Sequence, residues 1–173
     1  MSYYDDNIPA AVRNLSDAQA IEKFIAGANI PAKAIAGLSR EQLNSFPIPG
    51  TWSIQQIVIH LLDSDLMAAV RMKRAIAEER PRLEVYDETA FSRRLGYDKL
   101  SVTAAADLFR VHRLYTAEIL KNAPREAFSR VAMHPEIGEV TLGQILRIYA
   151  YHVDHHLAFI VKKRKLLGAE IAL

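Results

Sequence analysis

The chain has 173 residues, half of them hydrophobic and a quarter charged, which is enough for one compact domain with a real core, expected to span 1–173. Its net charge is only +2 and no long basic run occurs, so nucleic acid is not an expected partner. It has no cysteine, which excludes disulfides and thiolate ligands and leaves any reactive thiol to a cosubstrate.

The first residues, MSYYDDNIPAAV, are acidic and polar rather than a signal peptide. No run of 18 apolar residues suggests a membrane span, so the expected location is the cytoplasm. Residues 1–14 read as an irregular lead-in. From Ser16 a helical pattern begins, with Ile21, Phe24, Ile25 and Ala28 spaced by three and four. Pro31 interrupts it while Ala32, Ile35 and Leu38 continue it, so either one helix kinks or two helices abut. Ser39 with Gln42 can cap a short extra turn, and PIPG at 47–50 must be a loop.

The next helix start is strongly marked. Ser53 with Gln56 forms a capping box, and Trp52 with Ile57 fits a hydrophobic staple. The helix is predicted over 54–79, ending before Pro81, and is apolar on most sides, as expected of a central bundle helix. His60 sits in its middle. A lone histidine on a buried helix is usually a satisfied core residue. Residues 80–100 read as a long connection with one helical turn around Phe91. A third long helix is predicted over 103–122, with Leu108, Val111, His112, Tyr115, Ile119 and Leu120 as its apolar side. Pro124 ends it, and 125–140 contains the loop HPEIGE.

The last helix is predicted from Thr141 to about Leu167, before Gly168. Its stretch YAYHVDHHLAFI holds three of the six histidines. Leu142, Ile145, Leu146, Tyr149, Val153 and Ile160 lie on one stripe, and His152 and His156 fall within it. Those two are offset by about 40° and one turn, so their imidazoles stand side by side. His155 points about 100° away. Two such histidines are either a hydrogen-bonded core pair or ligands of one metal ion. No strand pattern and no internal repeat is visible. Four long helices with one short and two long connections read as an all-α four-helix bundle. In such a bundle His60 can join the pair, and three imidazoles leave an open position, as in a catalytic zinc site.

The phrase PGTWSIQQIVIHLLDSD, followed much later by HPEIGEVTLGQILRIYAYHVDHHLAFI, resembles the DinB superfamily, and within it the YfiT-like branch. Members of that branch include proteins assigned as metal-dependent hydrolases and thiol S-transferases such as bacillithiol transferases. The resemblance covers about residues 20–165 and implies a four-helix bundle of up-down-down-up topology. It also implies a divalent metal, zinc or nickel, on three histidines, which fall here on His60, His152 and His156. A homodimer follows from the same resemblance, and from apolar side chains in excess of one stripe per helix together with the tail residues Ile171 and Leu173.

The remaining polar residues have weaker assignments. Asp63, one turn from His60, is the candidate to orient that imidazole or to act as a base. His112, Arg71 and Tyr149 are candidate substrate contacts, with a core hydrogen bond the blander role for His112 and a solvated helix end for Arg71 and Arg74. His134 and Glu136 can fix a loop over the site, and Asp154 and His155 should face outward. Three functions remain open: a transferase for a small-molecule thiol and an electrophile, a hydrolase using water, and a non-catalytic metal-binding module.

Overall fold

The computed structural model describes residues 3–171. Two short helices, α1 (Tyr3–Asn7) and α2 (Ala10–Arg13), occupy the stretch expected to be irregular. Ile8 and Val12 are buried and anchor this segment to the bundle. The first long element is α3 (Asp17–Ala26), opened by a Ser16–Gln19 capping box that satisfies two amide groups reciprocally. A 3-10 turn, Gly27–Asn29, joins it to α4 (Ile30–Ile35). Pro31 lies in the first turn of α4, where a missing N–H costs nothing, so the break is two abutting helices.

Next come α5 (Arg40–Asn44), capped by Ser39 with Gln42, and α6 (Ile54–Ala77), capped by Ser53 with Gln56. The long connection then contains α7 (Glu88–Arg94), started by Asp87, whose carboxylate accepts the Ala90 N–H at 2.8 Å. The third bundle helix, α8 (Val102–Asn122), runs where expected and buries Leu120 as expected, but most of its buried face is a different one. Leu108, Val111 and Tyr115 are more than half exposed, while Ala105, Ala106, Phe109, Arg113, Thr116 and Ala117 face inward. The sequence signal failed because the buried face is made of small residues around an arginine, leaving the larger apolar side chains outside.

A hairpin absent from the sequence reading follows a 3-10 turn. It comprises β1 (Val131–His134) and β2 (Gly138–Thr141), antiparallel with Val131 opposite Thr141 and His134 opposite Gly138. Strands of four residues are too short to show an alternating pattern. Gly138 turns the chain with a φ of 77°, which few other residues adopt. The chain before α7 lies beside this hairpin: Leu83 N–H donates to Met133 O and Met133 N–H to Pro81 O, both at 2.8 Å. Thr141 ends β2 and also caps α9 (Leu142–Leu166) through a box with Gln144, so hairpin and last helix are joined without slack.

Contacts between helices give their directions. Asp17 meets Arg147 and Ala34 meets Arg164, so the first arm and α9 run parallel. Gln55 reaches the carbonyl of Leu100 and Asp65 reaches Arg113, so α6 and α8 are also parallel. Arg71 meets Tyr149 and Thr51 meets Lys163, so α6 and α9 are antiparallel. The bundle is therefore up-down-down-up. No helix among the described residues is long and apolar enough to cross a membrane. Ile171 is half-buried, and Leu173 lies outside the described residues.

Two apolar clusters fill the bundle. One joins α3, the second half of α6 and the hairpin around Phe24, Met72 and Leu146; the other joins α4, the first half of α6 and the start of α8 around Ile54, Leu61 and Phe109. A polar layer lies between them. In it Arg113 is fully buried, with Nη2 2.9 Å from Asp65 Oδ1 and 2.8 Å from the Tyr149 carbonyl, and Nη1 3.3 Å from the Phe24 carbonyl. Its guanidinium stacks on Phe24 and Phe109 at 4.1 and 4.7 Å. Removing one partner of such a pair strands a charge at a cost of about 3–5 kcal/mol, whereas replacing both with apolar groups costs far less. Asp65→Ala should therefore lower the unfolding free energy by about that amount, and Asp65→Leu with Arg113→Met should recover most of it, as read by urea denaturation.

Candidate metal centre

The capping box at Ser53 sets the rotation of α6, and the Thr141 box sets that of α9. Because these helices are antiparallel neighbours, His60 meets the last helix opposite His152 and His156. One ring nitrogen from each lies within 4.8 Å of the others. The Nε2 atoms of His152 and His156 are 3.0 Å apart, and the His60 ring centroid lies 5.3 and 4.8 Å from theirs. His155 is exposed and outside this group.

Burial shapes the electrostatics. His60 is 1% exposed, and desolvation pushes its pKa down to about 4. His156 falls to about 3, first through desolvation and then through His60 and His155. His152 is also held well below the ordinary value, by burial and then by its two imidazole neighbours. All three rings are therefore held neutral at pH 7, the form in which an imidazole can bind a metal.

The donor set fits a divalent ion. Tetrahedral zinc with nitrogens at about 2.0–2.1 Å requires them roughly 3.3 Å apart, close to the separation of the α9 pair. His60 Nδ1 is buried without a hydrogen-bond partner among the described residues, a cost that coordination by this ring would help offset. Three nitrogen ligands leave a further position open.

A pocket of about 190 Å³ adjoins the cluster, with His152 in its wall. Ser64 and Arg71 from α6, Tyr149 from α9, Glu88 from α7, and His134 and Glu136 from the hairpin supply its polar lining. Leu83, Val140, Ile145 and Ile148 supply apolar walls. Arg71 Nη1 donates to the Tyr149 hydroxyl at 2.7 Å. Burial raises the pKa of Glu88, an effect that nearby Arg71 opposes. His134 is lowered by burial and then by Arg71, and its Nδ1 accepts the Glu136 N–H at 3.3 Å.

Two expected site residues are placed elsewhere. Asp63 does not reach His60; its carboxylate accepts the Tyr97 hydroxyl. Residues three apart share a helix face, but the segment after α7 brings a phenol to that carboxylate first. His112 does not line the pocket. Its Nδ1 lies 3.3 Å from Asp65, where the parallel packing of α6 and α8 puts it. Asp154 meets Lys23 in an ion pair. Glu88 was not anticipated, because nothing in the spacing of a long connection says where it folds back. Trp52, read as a staple, packs its ring against His60 at 4.8 Å.

The depressed histidines make stability depend on pH. Their folded pKa values lie below the unfolded value near 6.5, so the unfolded chain binds more protons between about 4 and 6.5. The stabilisation is complete above 6.5 and is lost as pH falls through that window. Chelator-treated protein should melt at a lower temperature at pH 5 than at pH 7, and His60→Gln should flatten the difference. An unchanged melting temperature across that range would contradict the assignment.

Comparison with known proteins follows the same outline. A family model for the DinB superfamily matches residues 6–160. A protein of Oceanobacillus iheyensis named "Putative metal-dependent hydrolase" is 33% identical over 133 residues, covering 76% of this chain and 77% of that protein. The structure of YfiT from Bacillus subtilis, described as "a probable metal-dependent hydrolase with an unusual four-helix bundle topology", superposes with a TM-score of 0.82 and 26% identity, covering 90% of this chain and 91% of that one. A mycothiol-dependent maleylpyruvate isomerase shares the fold at a TM-score of 0.66 and 15% identity; the match covers 85% of this chain and 61% of the isomerase. With the family model spanning most of its length, the chain belongs to the DinB superfamily.

Proposed function

We propose that this protein is a metal-dependent enzyme in which His60, His152 and His156 hold one zinc or nickel ion per chain, and that it transfers a small-molecule thiol to an electrophile. The observation that carries this reading is the convergence of three neutral imidazole nitrogens within 4.8 Å beside a pocket. A divalent ion held there supplies a positive charge that lowers the pKa of whatever nucleophile occupies its open position. The chain's own residues do the rest. Burial keeps the three imidazoles neutral and able to donate. The hairpin and the chain before α7 supply much of the pocket wall. The lack of cysteine means that a sulfur nucleophile comes from outside, and the apolar wall of Leu83, Val140 and Ile145 suits a weakly hydrated thiolate.

Hydrolysis is the second reading, favoured by the names of the relatives and by Glu88. A carboxyl group raised by burial and lining the pocket suits a general base for water. We place the enzyme in the cytoplasm, acting on small molecules as a homodimer; the exposed apolar residues Leu108, Val111 and Tyr115 on α8 support that assembly.

Elemental analysis should find about one divalent ion per chain. That stoichiometry should be lost in His60→Ala, His152→Ala or His156→Ala and kept in His155→Ala. Equal loss in all four would overturn the ligand set. With the metal loaded, a panel of small thiols and a chromogenic electrophile should give thiol-dependent turnover. Turnover of esters or amides without added thiol would instead decide for hydrolysis. Light scattering at micromolar concentration should give a dimer mass, and a monomer mass would overturn the assembly.

A further inference from the structure

We infer that Arg71 is a carboxylate-recognition group, and that the substrate occupying this pocket carries a carboxylate bound to its guanidinium. The inference deepens the proposed function and rests on it only in taking this pocket as the substrate's.

The first observation is a count of donors. A guanidinium has five N–H groups in a fixed fork. In Arg71, Nε donates to the Glu84 carbonyl at 3.1 Å, Nη2 donates to the same oxygen, and Nη1 donates to the Tyr149 hydroxyl at 2.7 Å. Three donors are thus used and two, one on each terminal nitrogen, are left. Those two nitrogens form the edge that takes a carboxylate bidentately.

The second observation is the missing counterion. Arg113, Arg147 and Arg74 each meet a carboxylate, at 2.9 Å in every case. Arg71 has no carboxylate oxygen within ion-pair distance among the described residues, although it is half-buried and lines the pocket. Its hydrogen-bond partners are one carbonyl and one phenol, which orient it, and Glu88 acts on it electrostatically across the pocket without forming an ion pair. A partly desolvated positive charge aimed into a cavity favours an anion there.

The third observation is position. Tyr149, the residue that holds Arg71, has its ring 5.8 Å from that of His152. A ligand clamped at Arg71 therefore lies next to the histidine cluster, and about 190 Å³ holds roughly six waters' worth of small molecule. Glu88 and Glu136 share the pocket, so a polyanion is disfavoured and any carboxylate is confined to the Arg71 end.

The test uses two probes of equal shape, 3-phenylpropionate and 3-phenylpropionamide, titrated calorimetrically into the purified full-length protein with and without chelator. Wild type should bind the carboxylate at least about tenfold more tightly than the amide, since a charge-assisted bidentate pair is stronger than the neutral amide's hydrogen bond. Arg71→Met should bring the two to parity, and Arg71→Lys should keep part of the preference. Tyr149→Phe, which keeps the charge and frees its orientation, should reduce the preference without abolishing it, so the inference does not depend on the stability of Arg71→Met alone. Equal affinities in wild type, no binding of either probe at millimolar concentration, or a preference that survives Arg71→Met would overturn it. A preference that vanishes with chelator but survives Arg71→Met would assign the carboxylate to the metal instead. One metal per chain without carboxylate preference sinks this inference and leaves the proposed function standing; the preference without stoichiometric metal does the reverse.

Discussion

The bundle is organised around one buried charge. Arg113 touches each of its four long arms: it stems from α8, pairs with Asp65 on α6, and reaches the carbonyls of Phe24 on α3 and Tyr149 on α9. The Phe24 carbonyl lies in the last turn of α3, where no helical amide is left to satisfy it. Gly27 follows, where any side chain would push the guanidinium out of place. A Cβ there would sit 2.5 Å from Arg113 Nη1. The 3-10 turn that splits the first arm is thus where the chain bends past the guanidinium. Such a pair adds little net stability over an apolar core, but it penalises every arrangement that leaves Arg113 unpaired.

The same polar layer accommodates the histidines. Apolar clusters lie on either side, so the layer is dry enough to depress three imidazole pKa values yet opens laterally into the pocket. An isolated core histidine would satisfy both ring nitrogens with protein groups. Here His60 Nδ1 has no partner among the described residues, and the two α9 rings turn Nε2 toward Nε2. That arrangement leaves one buried ring nitrogen unsatisfied and brings nitrogens of all three rings together. The hairpin and the chain before α7 cover the other end of the pocket, and their mutual hydrogen bonds make the cover one unit. Arg71 and Tyr149 tie that cover, through Glu84, to the two helices carrying the histidines.

Helix boundaries were legible because they are written in local chemistry. The Ser39 and Ser53 capping boxes both form, Pro31 ends up in a first turn, and α6 stops two residues before the expected end. That His152 and His156 stand together while His155 faces outward was legible from the 3.6-residue period of α9. The Ser16 and Thr141 boxes follow the same local rule. The buried face of α8 was not legible. Leu108, Val111 and Tyr115 look like a core stripe, but close helix packing at this level requires alanines, and the inward arginine has its counter-charge 48 residues away.

What the sequence determined by itself is therefore local and periodic: where helices start, which residues share a face, and that two imidazoles on α9 stand together. What only the tertiary structure decided is which remote groups meet. Asp63 was free to face His60 by spacing, yet Tyr97 takes its carboxylate; His112 was free to reach a pocket, yet Asp65 takes it. Glu88, His134 and Arg71 share a cavity because a hairpin of four-residue strands folds over α6. The physical reason is range. Caps and helical periods act over three or four residues, which the chain order preserves. Ion pairs and pocket walls join residues tens of positions apart, and their partners exist only once the helices have packed.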